Sequence, residues 1–477
     1  MREYDYILIG TGSGLDLIDA VSREYPEARI AVIDKDTPGG ICLTRGCIPS
    51  KILVYTAHIC NLIRRSSEFN IDAEIKDINF KAVMDRMRSI IGRDIEHIRR
   101  GLQNSENINY YQETAEFTAP YTLKVNNETI KSKTIFLCTG SRPVVPAIEG
   151  LNETGYLTSK TLLELQKLPK SVGIIGGGYI AAEYGHFLGS MGSEVTILGR
   201  NPQFLPEEEP EVSALARKVL ERRLKILTNN EVKKAEKIDE GKRLISIDQD
   251  NNEEVETVVE EILVAAGRTH NNNILHPEKG GIKTTPNGYI AVNEYLETSQ
   301  RGVWALGDAD GKYPFKHKAN YEAQLVYWNA ILGRKIKADY HAVPHAVFTE
   351  PEIASVAMSE KEAVKNYGKE NVMIGLYQHF DTARGEAMAA RDGFVKVLVE
   401  RRSGKILGAH IIGPEASVLI QEIINLMYTN DQRWYPIDDA MHIHPALSEV
   451  VQRAFDSLTS LDQYHHVLED HTDILIK

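Results

Sequence analysis

A glycine-rich turn between an apolar strand and an apolar helix occurs twice in this chain, and that repetition leaves few folds open. The first copy reads as a strand from Tyr6 to Ile9, a turn with Gly10, Gly12 and Gly14, a helix, and a second strand from Ile30 to Ile33 that ends at Asp34. Glycines there let the backbone approach a diphosphate at a helix N-terminus, where free N–H groups and the helix dipole favour anions. Asp34 is placed to accept ribose hydroxyls. The sixth position, commonly Gly or Ala, is Leu15, which is expected to push the helix slightly from the strand while leaving the phosphate site intact. The second copy has a strand from Val172 to Ile175, Gly176, Gly178 and Ala181 in the turn, a helix to about Gly189, and a strand from Glu194 to Leu198. Two such units predict two bound dinucleotides.

At 477 residues the chain exceeds what one core usually supports, so two to four domains are expected. Its net charge of −12 disfavours binding to nucleic acid or to anionic membranes. The apolar strand begins almost at the first residue, so no export signal is expected ahead of it, and no apolar run is long enough to span a membrane. A cytoplasmic protein is the expectation.

Four cysteines in this length do not make a disulfide framework. Cys60 and Cys138 read as small core residues. Cys42 and Cys47, in GGICLTRGCIPSKIL, lie five positions apart, which on one regular helix separates the Cα atoms by roughly 8.6 Å, beyond the ~7 Å limit for a disulfide. At least one of them is therefore expected outside regular helix. Gly46 permits the irregularity, and Pro49 suits a first helical turn, so a helix is predicted to start near Cys47. Along it Ile48, Ile52, Tyr55, Ile59 and Leu62 form a stripe expected to face the core, and Lys51 falls one turn after Cys47. A thiol at a helix N-terminus beside a cation favours the thiolate. A zinc half-site or a structural disulfide are the bland alternatives, but Cys60 and Cys138 offer no second ligand cluster, and no metal is expected.

Several segments then resemble the class I pyridine nucleotide-disulfide oxidoreductases, the family of dihydrolipoamide dehydrogenase, glutathione reductase and mycothione reductase. They are GGICLTRGCIPSK around the cysteines, CTGSRP at 138–143, GGGYIAAE at 176–183, AAGR at 265–268, ALGD at 305–308, FTEPEIASV at 348–356 and HIHPALSE at 442–449. The resemblance implies an α/β protein with two Rossmann-like dinucleotide-binding domains and a C-terminal α+β dimerisation domain. FAD is implied at 1–147 completed by 268–340, the NADPH or NADH domain at 148–267, and the interface domain at 341–477. It further implies Gly140, Gly267 and Asp308 at the cofactors, the last against the FAD ribityl chain. Lys51 and Glu183 are similar to an ion pair beside the flavin, and Tyr179 to a lid over the nicotinamide pocket. His444 and Glu449 resemble an acid–base pair that serves the cysteines of the other subunit, which implies a homodimer with a composite active site.

The resemblance implies electron transfer between nicotinamide, FAD, the Cys42 and Cys47 pair and an external thiol or disulfide, with Cys47 nearest the flavin and Cys42 the interchange thiol. Dihydrolipoamide dehydrogenase, acting on a lipoyl group, is the first expectation on overall similarity. An NADPH-dependent reductase of a small disulfide is the rival, and FKHKANYEA at 315–323 is closer to the mycothione reductase branch. A non-disulfide flavoprotein such as an NAD(P)H oxidase would need neither the cysteine pair nor His444 and Glu449. Where an NAD-preferring unit ends its second strand with an acidic residue, this chain has Gly199 followed by Arg200, a pattern that points to NADPH.

Overall fold

In the computed structural model, which describes residues 1–470, the strand Tyr6–Ile9 lies at the centre of a parallel five-stranded sheet. The order is Val303–Ala305, Thr134–Leu137, Tyr6–Ile9, Ile30–Ile33, Ile108–Tyr111. Ile7, Leu8, Ala31, Val32, Ile135 and Phe136 are completely buried, as the strands of a parallel sheet covered on both faces must be. Ile9 stands level with Ile33 and Leu137, so three strands end together and the chain turns at Gly10. Gly10 has φ +103°, and a Cβ there would sit 2.0 Å from the Cys138 carbonyl oxygen, so only glycine fits.

Helix Gly14–Glu24 follows, and Gly14 makes its close approach to the sheet: a Cβ at that position would lie 2.5 Å from the Leu8 side chain and 2.8 Å from the Cys138 sulfur. The displacement expected from Leu15 therefore does not arise. Contact is made one residue earlier, and Leu15 packs half-buried against the apolar cluster around Leu17 and Ile18.

The second unit repeats the plan with a parallel sheet ordered Lys225–Leu227, Glu194–Leu198, Ser171–Ile175, Glu261–Val264. Helix Tyr179–Met191 leaves its glycine turn and is buried along nearly its whole length. A six-stranded antiparallel sheet then runs Pro344–Val347, Glu352–Ala357, Ile406–Gly413, Phe394–Glu400, Val372–Gln378, Thr459–Ser460, with helices Ala416–Met427 and Glu449–Asp456 packed on it. This is the expected succession of two Rossmann-like units and an α+β region. Residues 471–477 of the expected interface segment lie outside the described residues.

Helix Cys47–Arg64 corrects the sequence reading. It packs against helices Tyr179–Met191 and Phe80–Asn104 through Leu53, Ala57 and Cys60, whereas Ile48, Tyr55, Ile59 and Leu62 are exposed, Tyr55 by 64%. Only Ile52 of the predicted stripe packs against the core. The helix thus has two apolar faces, and the more regular one has no partner among the described residues.

A buried charge cluster joins the second unit to the antiparallel sheet. The fully buried Lys396 places its Nζ 2.5 Å from Glu209, 2.9 Å from Glu360 and 3.0 Å from Glu211. Next to it, Glu208 accepts hydrogen bonds from Ser355 Oγ at 2.7 Å and from the His345 ring at 2.8 Å.

Candidate active site

Cys42 and Cys47 meet where two helices meet. Cys42 belongs to the short helix Gly40–Arg45, Gly46 breaks the chain direction with φ −133° and ψ −116°, and Cys47 is the first residue of helix Cys47–Arg64. The two cysteines do not share one regular helix, as their spacing required, but the irregularity is confined to Gly46 and neither cysteine leaves helix. Both thiols are free and hydrogen-bonded to each other. Donation from the Cys42 thiol pulls Cys47 down from its ordinary 9.0 to about 7, with Lys51 and the backbone N–H at the helix start adding to it against burial. The same bond, together with burial, pushes the Cys42 thiol far above its ordinary range. The pair thus favours ionisation at Cys47, with the shared proton on Cys42.

Lys51 Nζ lies 2.8 Å from each carboxylate oxygen of the buried Glu183, and 4.6 Å above the Phe348 ring. The Phe348 N–H also donates to Glu183 at 3.1 Å, so the carboxylate is fixed from two sides. Tyr179 opens the helix that carries Glu183, and burial pushes its hydroxyl up to about 12.

These groups line a cavity of about 730 Å³ that extends back to the first glycine turn. Gly10, Gly12, Asp34, Gly140 and Asp308 line it as well. A Cβ on Gly12 would meet nothing nearer than 3.9 Å, so its glycine hydrogen leaves the cradle open toward the cavity. Asp34 accepts from the Thr11 N–H at 2.8 Å and the Thr11 hydroxyl at 2.5 Å, which ties the strand end to the turn. Asp308 accepts a short hydrogen bond from Ser141, which in turn accepts from Arg268 at 2.8 Å. Cys60 is a buried core residue as expected, whereas Cys138 is only half-buried and faces this cavity.

Other predicted residues lie apart from the cavity. Gly176, with φ +129°, and Gly178, whose Cβ would meet nothing within 4 Å, form the second turn, and Gly267, with φ +110°, follows the strand Glu261–Val264. Arg200 is exposed just past the strand end at Leu198. His444 Nδ1 lies 2.9 Å from Glu449, whose other oxygen accepts the Ala446 N–H at 3.1 Å, and the carboxylate is held below its usual range by the imidazole bond. The His444 side chain is 71% exposed and does not line its own chain's cavity. Thr11, Ser141, Phe348 and Lys316 belong to the site without having been singled out in the sequence; Ser141, Phe348 and Lys316 lie inside quoted motifs, but only the fold shows what they touch.

Residues 4–323 match the family described as pyridine nucleotide-disulphide oxidoreductase, and residues 343–455 match that family's dimerisation domain. The chain belongs to this family. It is 33% identical over 469 residues to mycothione reductase of Mycobacterium tuberculosis, covering 95% of this chain and 99% of that protein. It is 32% identical over 459 residues to dihydrolipoyl dehydrogenase of Geobacillus stearothermophilus, covering 95% of each. The HOCl-induced flavoprotein disulfide reductase RclA from Escherichia coli superimposes with a TM-score of 0.83 at 27% identity, covering 95% of this chain and 99% of that one.

The protein is therefore an FAD-dependent disulfide oxidoreductase linked to NAD(P)H, with a C-terminal dimerisation domain. The non-disulfide flavoprotein reading is not favoured. The cavity fits FAD: glycine-only backbone at Gly10, an open cradle at Gly12, a carboxylate at each of Asp34 and Asp308, and a dithiol beside an ion pair all border one space. Among the described residues, no helix is long and apolar enough to cross a membrane.

Proposed function

We propose that this enzyme uses NADPH to reduce a low-molecular-weight disulfide, with residues 1–147 and 268–340 holding FAD, 148–267 the coenzyme and 341–477 the subunit interface. The observation that carries the coenzyme assignment is the end of strand Glu194–Leu198. Gly199 there is packed against Gly177, with 3.4 Å from its Cβ position to the Gly177 Cα, and the exposed Arg200 follows where a carboxylate would repel a 2′-phosphate. The identity to mycothione reductase supports the same reading. Dihydrolipoamide oxidation is the second reading, supported by similar identity to dihydrolipoyl dehydrogenases.

Bound FAD supplies the two-electron relay between nicotinamide and the cysteine pair. Cys47 rests as the thiolate, held by Cys42 and Lys51. Cys42 is the interchange thiol, and because it keeps its proton it needs a base before it can attack. His444 of the partner subunit, oriented by that subunit's Glu449, takes the Cys42 proton. Cys42 sulfur then attacks one sulfur of the substrate disulfide, and the imidazolium protonates the thiolate that leaves. The Cys47 thiolate then attacks the Cys42 sulfur of the mixed disulfide, which closes the Cys42–Cys47 bond and releases the second half of the substrate as its thiolate, to be protonated by solvent. Two features support the composite site: the exposure of His444 away from its own cavity, and the exposed apolar face of helix Cys47–Arg64 beside the cysteines.

A turnover panel tests the proposal, with glutathione disulfide, CoA disulfide, other small disulfides and dihydrolipoamide, each with both nicotinamide coenzymes. Reduction of a small disulfide with NADPH is expected. Preference for NADH and dihydrolipoamide would replace this reading with the second.

A further inference from the structure

Helix Lys316–Val326 begins at the wall of the FAD cavity. Lys316, its first residue, is half-buried and donates from Nζ to the Ser13 hydroxyl at 2.9 Å. Ser13 is buried in the first glycine turn, immediately before helix Gly14–Glu24, and its hydroxyl is bonded to Asn320 at 2.9 Å. Two helix N-termini and one ammonium therefore converge on one point of the cavity wall.

That concentration of positive charge is not compensated. Of the other cations lining the cavity, Lys35 and Arg45 face Asp36 at 3.1 and 2.7 Å, Lys51 faces Glu183, and Arg268 is engaged by Ser141. Lys316 has no carboxylate partner among the described residues, and it stands at a helix N-terminus, the end where a cation is disfavoured. The Cys42 thiol, raised first by its bond to Cys47, and the Cys138 thiol, raised by burial, are each pulled back by Lys316, whose charge both of them feel. An anion beside Ser13 would discharge all of this at once. The anion that belongs in this cavity is the FAD diphosphate, for which a glycine turn at a helix N-terminus is the natural seat.

We propose that Lys316 is an FAD-anchoring residue, its ammonium paired with the cofactor's diphosphate beside Ser13. The test uses purified holoenzyme of wild type, Lys316→Gln, Lys316→Ala and Lys316→Arg, diluted stepwise while recovery of free-flavin fluorescence reports released FAD. Lys316→Gln and Lys316→Ala are expected to weaken FAD binding by about 10- to 150-fold, the range for losing a hydrogen bond to a charged group. Lys316→Arg should retain FAD within a few-fold, and added salt should weaken wild type more than Lys316→Gln. Retention of FAD by Lys316→Gln as tight as wild type overturns the proposal, and a shifted pH profile of Cys42 alkylation in that variant would assign the lysine to the thiol instead. Equal loss of FAD in Lys316→Arg also overturns it, because packing rather than charge would then be responsible. A wild-type protein without flavin would instead remove the FAD assignment itself.

Discussion

Replacing Cys42 by alanine removes the hydrogen-bond donor that contributes most to the low pKa of Cys47. With Cys47 at about 7 in place of 9.0, about half of it is thiolate at pH 7, against about 1% at the ordinary value. Lys51 and the helix start remain in Cys42→Ala, so the midpoint should rise by about one pH unit or more without returning fully to 9.0. The sign is fixed by which form the bond favours: Cys42 donates to the thiolate, so its loss moves deprotonation to higher pH. Cys42→Ser retains a donor and should fall between wild type and alanine. The assay is a pH titration of ultraviolet thiolate absorbance, each protein measured against the same background with Cys47→Ala. Long-wavelength charge-transfer absorbance between a thiolate and oxidised flavin gives a second readout, present in Cys42→Ser without reductant and lost in Cys47→Ser. A Cys42→Ala midpoint still near 7 would refute the reasoning and transfer the stabilisation to Lys51 and the helix terminus.

Lys51→Met should strand the buried Glu183 carboxylate and cost about 3 kcal/mol in urea unfolding at neutral pH, the lower end for a broken buried pair because Lys51 keeps a third of its surface exposed. Adding Glu183→Gln should recover part of that loss, and no recovery would show that the pair is not what the lysine stabilises. His444→Ala should slow thiol–disulfide exchange roughly 100-fold or more while reduction by nicotinamide stays fast. Verified mixed dimers of Cys42→Ser and His444→Ala subunits should keep one working site, and complete inactivity would rule out the shared site. Arg200→Ala should weaken NADPH by roughly 10- to 150-fold and NADH little, as read by coenzyme titration.

The glycine turns were legible because they mark positions where the backbone itself must approach something, and Gly10 and Gly176 are indeed positions where any Cβ would strike a carbonyl. Simple geometry said that Cys42 and Cys47 cannot share one regular helix, but it looked for a cysteine outside helix, whereas a break at Gly46 leaves each on a helix of its own. Periodicity could not say where the stripe of Ile48, Tyr55, Ile59 and Leu62 points, because it reports that a face is apolar and not which surface covers it. Leu15 was misjudged because a consensus position stood in for the contact, which Gly14 makes. Lys316 had no signal: its meaning comes from Ser13, which is 303 positions away and meets it only in the fold.

The Lys396 cluster sets a limit on engineering. Glu209 and Glu211 travel with the unit built on the second glycine turn, whereas Lys396 and Glu360 belong to the antiparallel sheet region. A chimera that exchanged residues 148–267 for those of a relative without matching acids would leave a lysine sealed from water with Glu360 alone beside it, and the transplanted unit would be rejected at its seam rather than at its nucleotide site. Coenzyme preference in this chain is therefore better altered by point substitution around Gly199 and Arg200 than by swapping the unit that carries them.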